Sequence, residues 1–310
     1  MMYLDSSREE RLDPTQVLSS VRSVISVACV YNVSEPEPQA PSLEPRASSP
    51  EPGAATIARY ARGDDYHEVL RRRLHELVQW LADTHGPGLE AFSCVDNGPV
   101  QERVFAEQAG LGWIGKNTCL INPRLGSWLV LGEIFTNLDL ESAEAGVDQC
   151  GTCTRCLDAC PTGAIVEPYV VDSRRCLSYL TIEKKGEVAP EWREAIREQV
   201  FGCDICQDVC PWNRRAATSD DPAWQPRELF RAPRLIDLCR LSDDGWRALL
   251  RTSAMRRAGL RRIRRSLAYA TAALSSADGH EARRLLAEHP SGSAPEVRDA
   301  LTWAAQGARG

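Results

Sequence analysis

The chain has few aromatic residues and no long hydrophobic run. Aromatics make up 6% of its 310 residues, and no window approaches the roughly 20 apolar residues that a membrane-spanning helix needs. The start of the chain leads directly into charged sequence at residues 8–10 instead of the apolar segment of a secretory signal. The formal net charge of −6 excludes a general attraction to nucleic acids. We therefore expect a cytoplasmic protein with no membrane partner, in which any contact with nucleic acid comes from a local basic patch.

What the chain does contain is the composition of a folded globular protein. Apolar residues make up 43% and charged residues 26%, which excludes a wholly disordered or fibrous chain. At roughly 100–200 residues per domain, this length predicts two or three domains.

Cysteine is the informative residue. Eight of the twelve cysteines fall between Cys150 and Cys210. In a reducing cytoplasm such clustering indicates metal ligation, because disulfide frameworks belong mainly to short secreted chains. The remaining four, which we expect to be small core hydrophobes, are Cys29, Cys94, Cys119 and Cys239.

The cysteine spacing is that of a bacterial ferredoxin. One complete run ends at Cys160-Pro161, and a second run, which lacks its first cysteine, ends at Cys210-Pro211. In such runs the fourth cysteine ligates the other cluster, and Cys176 is the only nearby candidate for the missing thiolate. Structural zinc, which also takes paired cysteines, remains an alternative. The predicted ligands are Cys150, Cys153, Cys156 and Cys210 for one [4Fe–4S] cluster, and Cys160, Cys176, Cys203 and Cys206 for the other.

The residues before the cysteines alternate between strand and helix patterns. Residues 21–31 and 128–135 read as strands, residues 90–95 as a short strand, and residues 65–83 and 102–109 as helices. This order is typical of an α/β layer structure. The glycine-rich sequence at 110–115 follows a predicted helix instead of a strand, which argues against a dinucleotide site.

Two other regions lack the alternating strand and helix pattern. A loop rich in proline, glutamate and serine is expected at 32–53, and sequence after residue 237 is helical, with short paired helices that suggest a HEAT-like repeat. The predicted domains are an α/β domain at 1–140, a ferredoxin-like two-cluster domain at 141–232 and an all-α, repeat-like region at 233–310.

Several motifs extend this interpretation beyond the cysteine runs. They are RYARGDDYH at 59–67, VDNGP at 95–99 with Glu102, AGLGWIGKNT at 109–118, GSWLVLGEI at 126–134 and CLSYLTIE at 176–183. Together with both cysteine runs, and in this order over about residues 8–270, they resemble the epoxyqueuosine reductases.

The resemblance implies an enzyme that depends on cobalamin and two [4Fe–4S] clusters. It would remove the epoxide oxygen from epoxyqueuosine at the wobble position of tRNA, with electrons from an external low-potential donor passing through the clusters to a nucleophilic cobalt. The family's proton donor matches Asp96, and a donor of this kind needs a pKa raised by burial. The simpler interpretation is that Asp96 only opens a turn. The first domain would then be the cobalamin-binding domain.

The resemblance also implies cobalamin contacts at Arg11, Arg59, Asp96, Ser178, Cys203 and Asp204. Arg11 and Arg59 could equally be solvated surface charges, and Ser178 a cap. His67 is expected to be a structural or pocket residue and not a cobalt ligand.

The tRNA contacts are expected from an arginine-rich helical segment that contains seven arginines in residues 251–265. Arginine pairs well with phosphates, although a solvated charged face is the alternative. The residues assigned to tRNA are Lys185, Arg256, Arg257, Arg261 and Arg265.

Two rival functions share parts of this pattern. A corrinoid-dependent reductive dehalogenase uses the same cofactors but normally carries an export signal, and an electron-transfer ferredoxin fusion would bind no corrinoid. Family members usually have a longer N-terminal segment and a longer helical tail than this chain, and we expect a monomer.

Overall fold

The computed structural model describes residues 6–34, 53–96 and 98–307. Most of the loop predicted at 32–53 lies outside these residues. The described part is a mixture of helices and strands. None of its helices is long and apolar enough to cross a bilayer.

The first half of the chain contains the strands of the main sheet. Its elements are α1 (Arg8–Leu12), β1 (Ser23–Val30), β2 (Thr56–Ile57), α2 (Tyr66–His85), β3 (Ala91–Cys94), α3 (Glu102–Gln108), β4 (Trp113–Ile114), β5 (Leu120–Ile121) and β6 (Leu129–Thr136), with 3₁₀ turns at Pro14–Gln16 and Arg59–Ala61.

The cysteine-rich middle consists of short elements. They are α4 (Arg155–Asp158), β7 (Ile165–Glu167), β8 (Val170–Val171), α5 (Leu177–Ile182), α6 (Pro190–Ile196), β9 (Gln199–Phe201) and α7 (Ile205–Asp208), with 3₁₀ turns at Ser173–Arg175, Pro211–Asn213 and Pro222–Trp224.

The last third is helical, as predicted. It contains α8 (Glu228–Arg231), α9 (Leu235–Arg240), α10 (Asp243–Leu250), α11 (Gly259–Ala270), α12 (Ser276–Glu288) and α13 (Pro295–Gly307), with 3₁₀ turns at Ala254–Arg257, Thr271–Ala273 and Pro290–Ser293.

The main sheet has β6 at its centre, and both of its neighbours, β1 and β3, run antiparallel to it. Ile134 packs toward the long helix α2, while Leu131 packs against Ala106 of α3 on the opposite face. Because residues on a strand alternate between faces, β6 is buried on both sides. Helices therefore pack on both faces of a sheet whose strands pair only antiparallel.

Helix α11 is the centre of the largest hydrophobic core. Its side chains Ile263 and Leu267 are fully buried, together with Ile57 of β2 and Phe201 of β9. Strands β2 and β9 pair in parallel. This core therefore contains residues from all three predicted domains, because α5 and β9 pack against α11 and β2 pairs with β9.

Two arginines of α11 are buried in that core, not exposed. Arg264 donates to the Asp243 carboxylate at 3.0 Å, and Arg265 donates to the backbone carbonyls of Lys184 at 2.7 Å, Gly186 and Leu180. Both side chains are fully buried. The prediction that Arg265 contacts tRNA is therefore wrong, because its donors already satisfy carbonyls at the end of α5.

Replacing Arg265 is expected to affect stability. Arg265→Ala leaves three carbonyls without their donor, so we expect the free energy of unfolding to fall by about 2–4 kcal/mol. Arg261→Ala, at an exposed position of the same helix, should change it by less than about 0.5 kcal/mol. Denaturant unfolding measures both, and equal small effects would contradict the structural role.

Candidate active site

The eight clustered cysteines lie in two groups. Cys156 lies near Cys150, Cys153 and Cys210, whose charges add to burial in raising its pKa to about 11. In the second group burial, with the charges of Cys160 and Cys176 adding to it, raises the pKa of the Cys203 thiol, and Cys206 lies near Cys176 and Cys203. The structure thus brings together the same two sets of four that the crossed ferredoxin rule predicts.

The thiols are grouped without converging on a single point. All twelve cysteines are free, and within the described ranges no three His, Cys, Asp or Glu side chains are placed to hold one metal ion. A tetrahedral zinc site needs thiolates about 2.3 Å from one ion. In the part of the chain that the structure describes, the grouped thiols do not have that arrangement.

A cavity of about 1030 Å³ lies beside the second cysteine group. This volume is at the upper end of the range for small-molecule pockets, about 300–1,000 Å³, so the cavity can accept a large ligand. It is lined by cysteines of the second group, by acidic residues and by arginines. Among its lining residues are Arg11, His67, Asp96, Cys160, Cys176, Ser178, Cys203, Asp204, Cys206, Arg256 and Arg257.

Asp96 follows strand β3 and faces this cavity with about half of its side chain exposed. Its backbone has φ of 50°, a conformation that is unfavourable for residues with a side chain. The Asp96 amide donates to the Glu102 carboxylate, and the pKa of that carboxyl is raised to about 7 by burial. Such strain is commonly retained where a side chain must be presented to a ligand.

The charge state of Asp96 differs from the expected one. The hydrogen bond from His67 lowers the pKa of Asp96, and although burial opposes this shift, the charge of His67 and a bond from Tyr66 add to the lowering. The expectation of a pKa raised by burial is therefore wrong for the described structure. Asp96 is an anion at neutral pH until a proton reaches it.

Arg59 is the one assigned cobalamin contact that is not among the described residues lining the cavity. Its guanidinium donates to Asn32 at 3.0 Å and pairs with Asp208 at 3.2 Å, and it lies over the Trp128 ring. Its amide donates to Asp204, a buried residue whose pKa burial raises to about 6. Arg59 therefore supports the cavity wall through Asp204.

The residues assigned to tRNA are divided by the structure. Arg256 and Arg257 are exposed and line the cavity, with Arg257 also bonded to Glu183 at 2.7 Å. Lys185 and Arg261 are exposed but are not among the described lining residues. Of the residues assigned to tRNA, the two that line the cavity therefore both belong to the 3₁₀ turn before α11.

Some residues near the site were not assigned a role from sequence. Tyr66 stacks on His67 with ring centroids 4.0 Å apart, and both belong to the motif at 59–67, which was the available signal. Cys119 also lines the cavity, and a hydrogen bond to Cys206 lowers the pKa of its thiol. The expectation that Cys119 is only a core hydrophobe is therefore wrong, and no spacing rule would have placed it there.

Two family models match the chain. Residues 149–213 match a 4Fe-4S double cluster binding domain, which supports two clusters in the cysteine-rich segment. Residues 11–97 match the model described as epoxyqueuosine reductase QueG, DUF1730.

Matches over most of the chain decide the family. An epoxyqueuosine reductase of Gloeobacter violaceus is 49% identical over 267 residues, covering 83% of this chain and 79% of that protein. The chain belongs to the epoxyqueuosine reductase family. A family member from Escherichia coli is 37% identical over 295 residues, covering 95% of this chain and 75% of its own.

Solved structures of the family share the fold. A crystal structure of an epoxyqueuosine reductase has a TM-score of 0.86 and 31% identity, covering 97% of this chain and 77% of that one. Another, solved with an epoxyqueuosine-modified tRNA stem loop, has the same TM-score, 30% identity and the same coverage. These relatives support the reductase interpretation and neither the dehalogenase nor the ferredoxin-fusion alternative.

Proposed function

We propose that this chain reduces epoxyqueuosine to queuosine at the wobble position of tRNA. The observation that carries this proposal is the cavity in which Asp96, the second cysteine group and two exposed arginines meet. In this proposal Asp96 donates the proton, the second cysteine group is the point of electron entry, and the two arginines bind phosphates at the edge of the same cavity. The substrate, epoxyqueuosine in tRNA, is inferred from membership of the family.

We propose cobalamin as the cofactor of this cavity. Its volume suits a large ligand, and Arg11, Ser178, Cys203, Asp204 and Asp96 are placed to surround one. Both ring nitrogens of His67 contact carboxylates, so His67 offers no free nitrogen to a metal. When bound, cobalamin supplies a metal centre that can be reduced to a strong nucleophile, and the [4Fe–4S] clusters supply one-electron carriers.

The chain's own contribution to the chemistry is to hold the substrate and to supply protons. The conversion consumes two electrons and two protons and releases the epoxide oxygen as water. Asp96 is the cavity-facing carboxylate just after β3, and Tyr66 and Arg257 lie near it. We also propose a cytoplasmic monomer that takes electrons from an external low-potential donor.

Turnover of defined tRNA tests this function. The anaerobically reconstituted protein, with reductant and cobalamin, should convert an epoxyqueuosine-containing stem loop to queuosine, seen by mass analysis as the loss of one oxygen atom. Omission of cobalamin should abolish conversion. An unchanged nucleoside in the presence of full iron and cobalamin would contradict the proposal.

Arg256 and Arg257 are expected to contact phosphates of the stem loop. The double variant Arg256→Ala, Arg257→Ala should weaken binding and lower the slope of log affinity against log salt by about 1 for each phosphate that is no longer neutralised. Arg284→Ala, which removes an exposed arginine paired with Glu281 and Glu288 on α12, serves as the control. An unchanged salt slope in the double variant would place the phosphates elsewhere.

A further inference from the structure

His67 lies between two carboxylates at the wall of the cavity. Its Nδ1 is 2.6 Å from Asp65 Oδ1, and its Nε2 is 3.1 Å from Asp96 Oδ2. Only 16% of the His67 side chain is exposed. Both ring nitrogens can donate at once only when the imidazole carries a proton on each, so this geometry favours the imidazolium.

The surrounding charges favour the same state. On its own helix, His67 faces Asp65 and stacks on Tyr66; from the loop after β3 it faces Asp96, and Glu102 of α3 lies within its field. The cations Arg256 and Arg257 act on the two aspartates. Burial works to lower the pKa of His67, but the bonds and charges of the two aspartates outweigh it and raise that pKa to about 9.

Resting on the proposed function, we infer that His67 is a positioning residue that stores a proton for Asp96 and delivers it across their hydrogen bond. It acts through Asp96 and not on the substrate itself.

The proton balance of this step is closed. The Nε2–H bond of the imidazolium breaks, and an O–H bond forms on Asp96 Oδ2, which leaves a neutral imidazole and a neutral carboxylic acid. Asp96 then gives that proton to the departing epoxide oxygen, and His67 is recharged from water in the cavity. The step needs no electrons beyond the two already required by the reduction.

A purely structural role for this contact is the alternative. Asp65 is the N-cap of α2, and it accepts the His67 amide at 3.1 Å as well as the ring. A structural role predicts lost stability with an unchanged pH profile, so the profile separates the two interpretations.

The first test compares His67→Gln with the wild type in single turnovers of reduced, cobalamin-loaded enzyme. The wild-type rate should fall as pH rises through about 9, because the raised pKa keeps His67 charged below that value. His67→Gln should lower the rate at neutral pH by about 100-fold and remove the decline near pH 9. His75→Gln, at an exposed position of the same helix, should keep both the rate and the profile.

The second test retains the imidazole. Asp65→Asn removes one of the two carboxylates that stabilise the imidazolium, so the high-pH decline should move downward by at least one pH unit. Nitrogen-15 NMR of the five histidines in the oxidised holoprotein gives a readout without turnover: His67 should titrate near 9, and the signal assigned by its loss in His67→Gln should shift downward in Asp65→Asn.

These outcomes distinguish failure of the proton delivery from His67 to Asp96, here called the relay, from failure of the proposed function. If the wild type leaves epoxyqueuosine unreduced, the proposed function fails, and the relay fails with it. If the wild type is active and His67→Gln retains its rate and pH profile, or if His67 titrates near an ordinary 6.5, the relay alone is overturned. A folded His67→Gln protein with full iron content excludes misfolding as the cause of its slow rate.

Discussion

Asp96→Asn should lose turnover by about 100- to 10,000-fold, the usual contribution of a positioned proton donor. The asparagine keeps the size of the side chain and can still bond to His67, but its amide cannot pass a proton to the departing oxygen. The iron content should stay near wild type, because Asp96 lies outside both cysteine groups. Binding of the stem loop should also stay near wild type, because the asparagine keeps the size of the side chain. Single turnover measures the first effect, and iron analysis with a binding titration measures the others.

The matched control for this variant is Asp83→Asn, an isosteric change at an exposed position of α2. It should leave turnover unchanged. Full turnover by Asp96→Asn would show that another cavity group donates the proton. Membership of the epoxyqueuosine reductase family would survive that result, since it rests on similarity over most of the chain and not on this residue.

Cys176→Ala should remove one cluster and with it all turnover. Cys176 is the thiolate predicted to complete the second set of four, and it lies near Cys203 and Cys206 at the cavity wall. A cube normally takes four thiolates, so iron should fall from about eight to about four atoms per chain. Iron and sulfide analysis measures the loss, and electron paramagnetic resonance of the reduced protein identifies which cluster signal has gone.

Cys119→Ser is the sharpest control, because Cys119 also lies beside Cys206. It should retain both clusters. If Cys119→Ser lost four irons while Cys176→Ala kept eight, the eighth ligand would be Cys119 and the spacing argument would be wrong.

The sequence predicted the long elements well because their periodicity is strong. The helix expected at 65–83 is Tyr66–His85, and the strand expected at 128–135 is Leu129–Thr136. The arginines of α11 were predicted poorly. Arg261 and Arg265 are four residues apart, so spacing alone places them near one another, yet Arg265 is buried while Arg261 is exposed. The carbonyls that accept hydrogen bonds from the buried Arg265 belong to a segment about 80 residues earlier in the chain.

The protonation states of Asp96 and His67 also could not be predicted from local sequence. A carboxyl group in a pocket suggested a raised pKa for Asp96, but His67, 29 residues earlier, reverses the direction. The pKa of a group depends on which charges surround it in space. A separation of 29 residues along the chain does not predict that His67 and Asp96 are in contact.

By itself, the sequence determined the family and predicted the eight cluster ligands, because long ordered motifs and thiolate spacing are local properties that can be seen without coordinates. Only the tertiary structure decided which arginines reach the cavity, where Cys119 lies, and which of Asp96 and His67 holds the proton. Those outcomes depend on burial and on through-space charge, which arise when distant segments pack together.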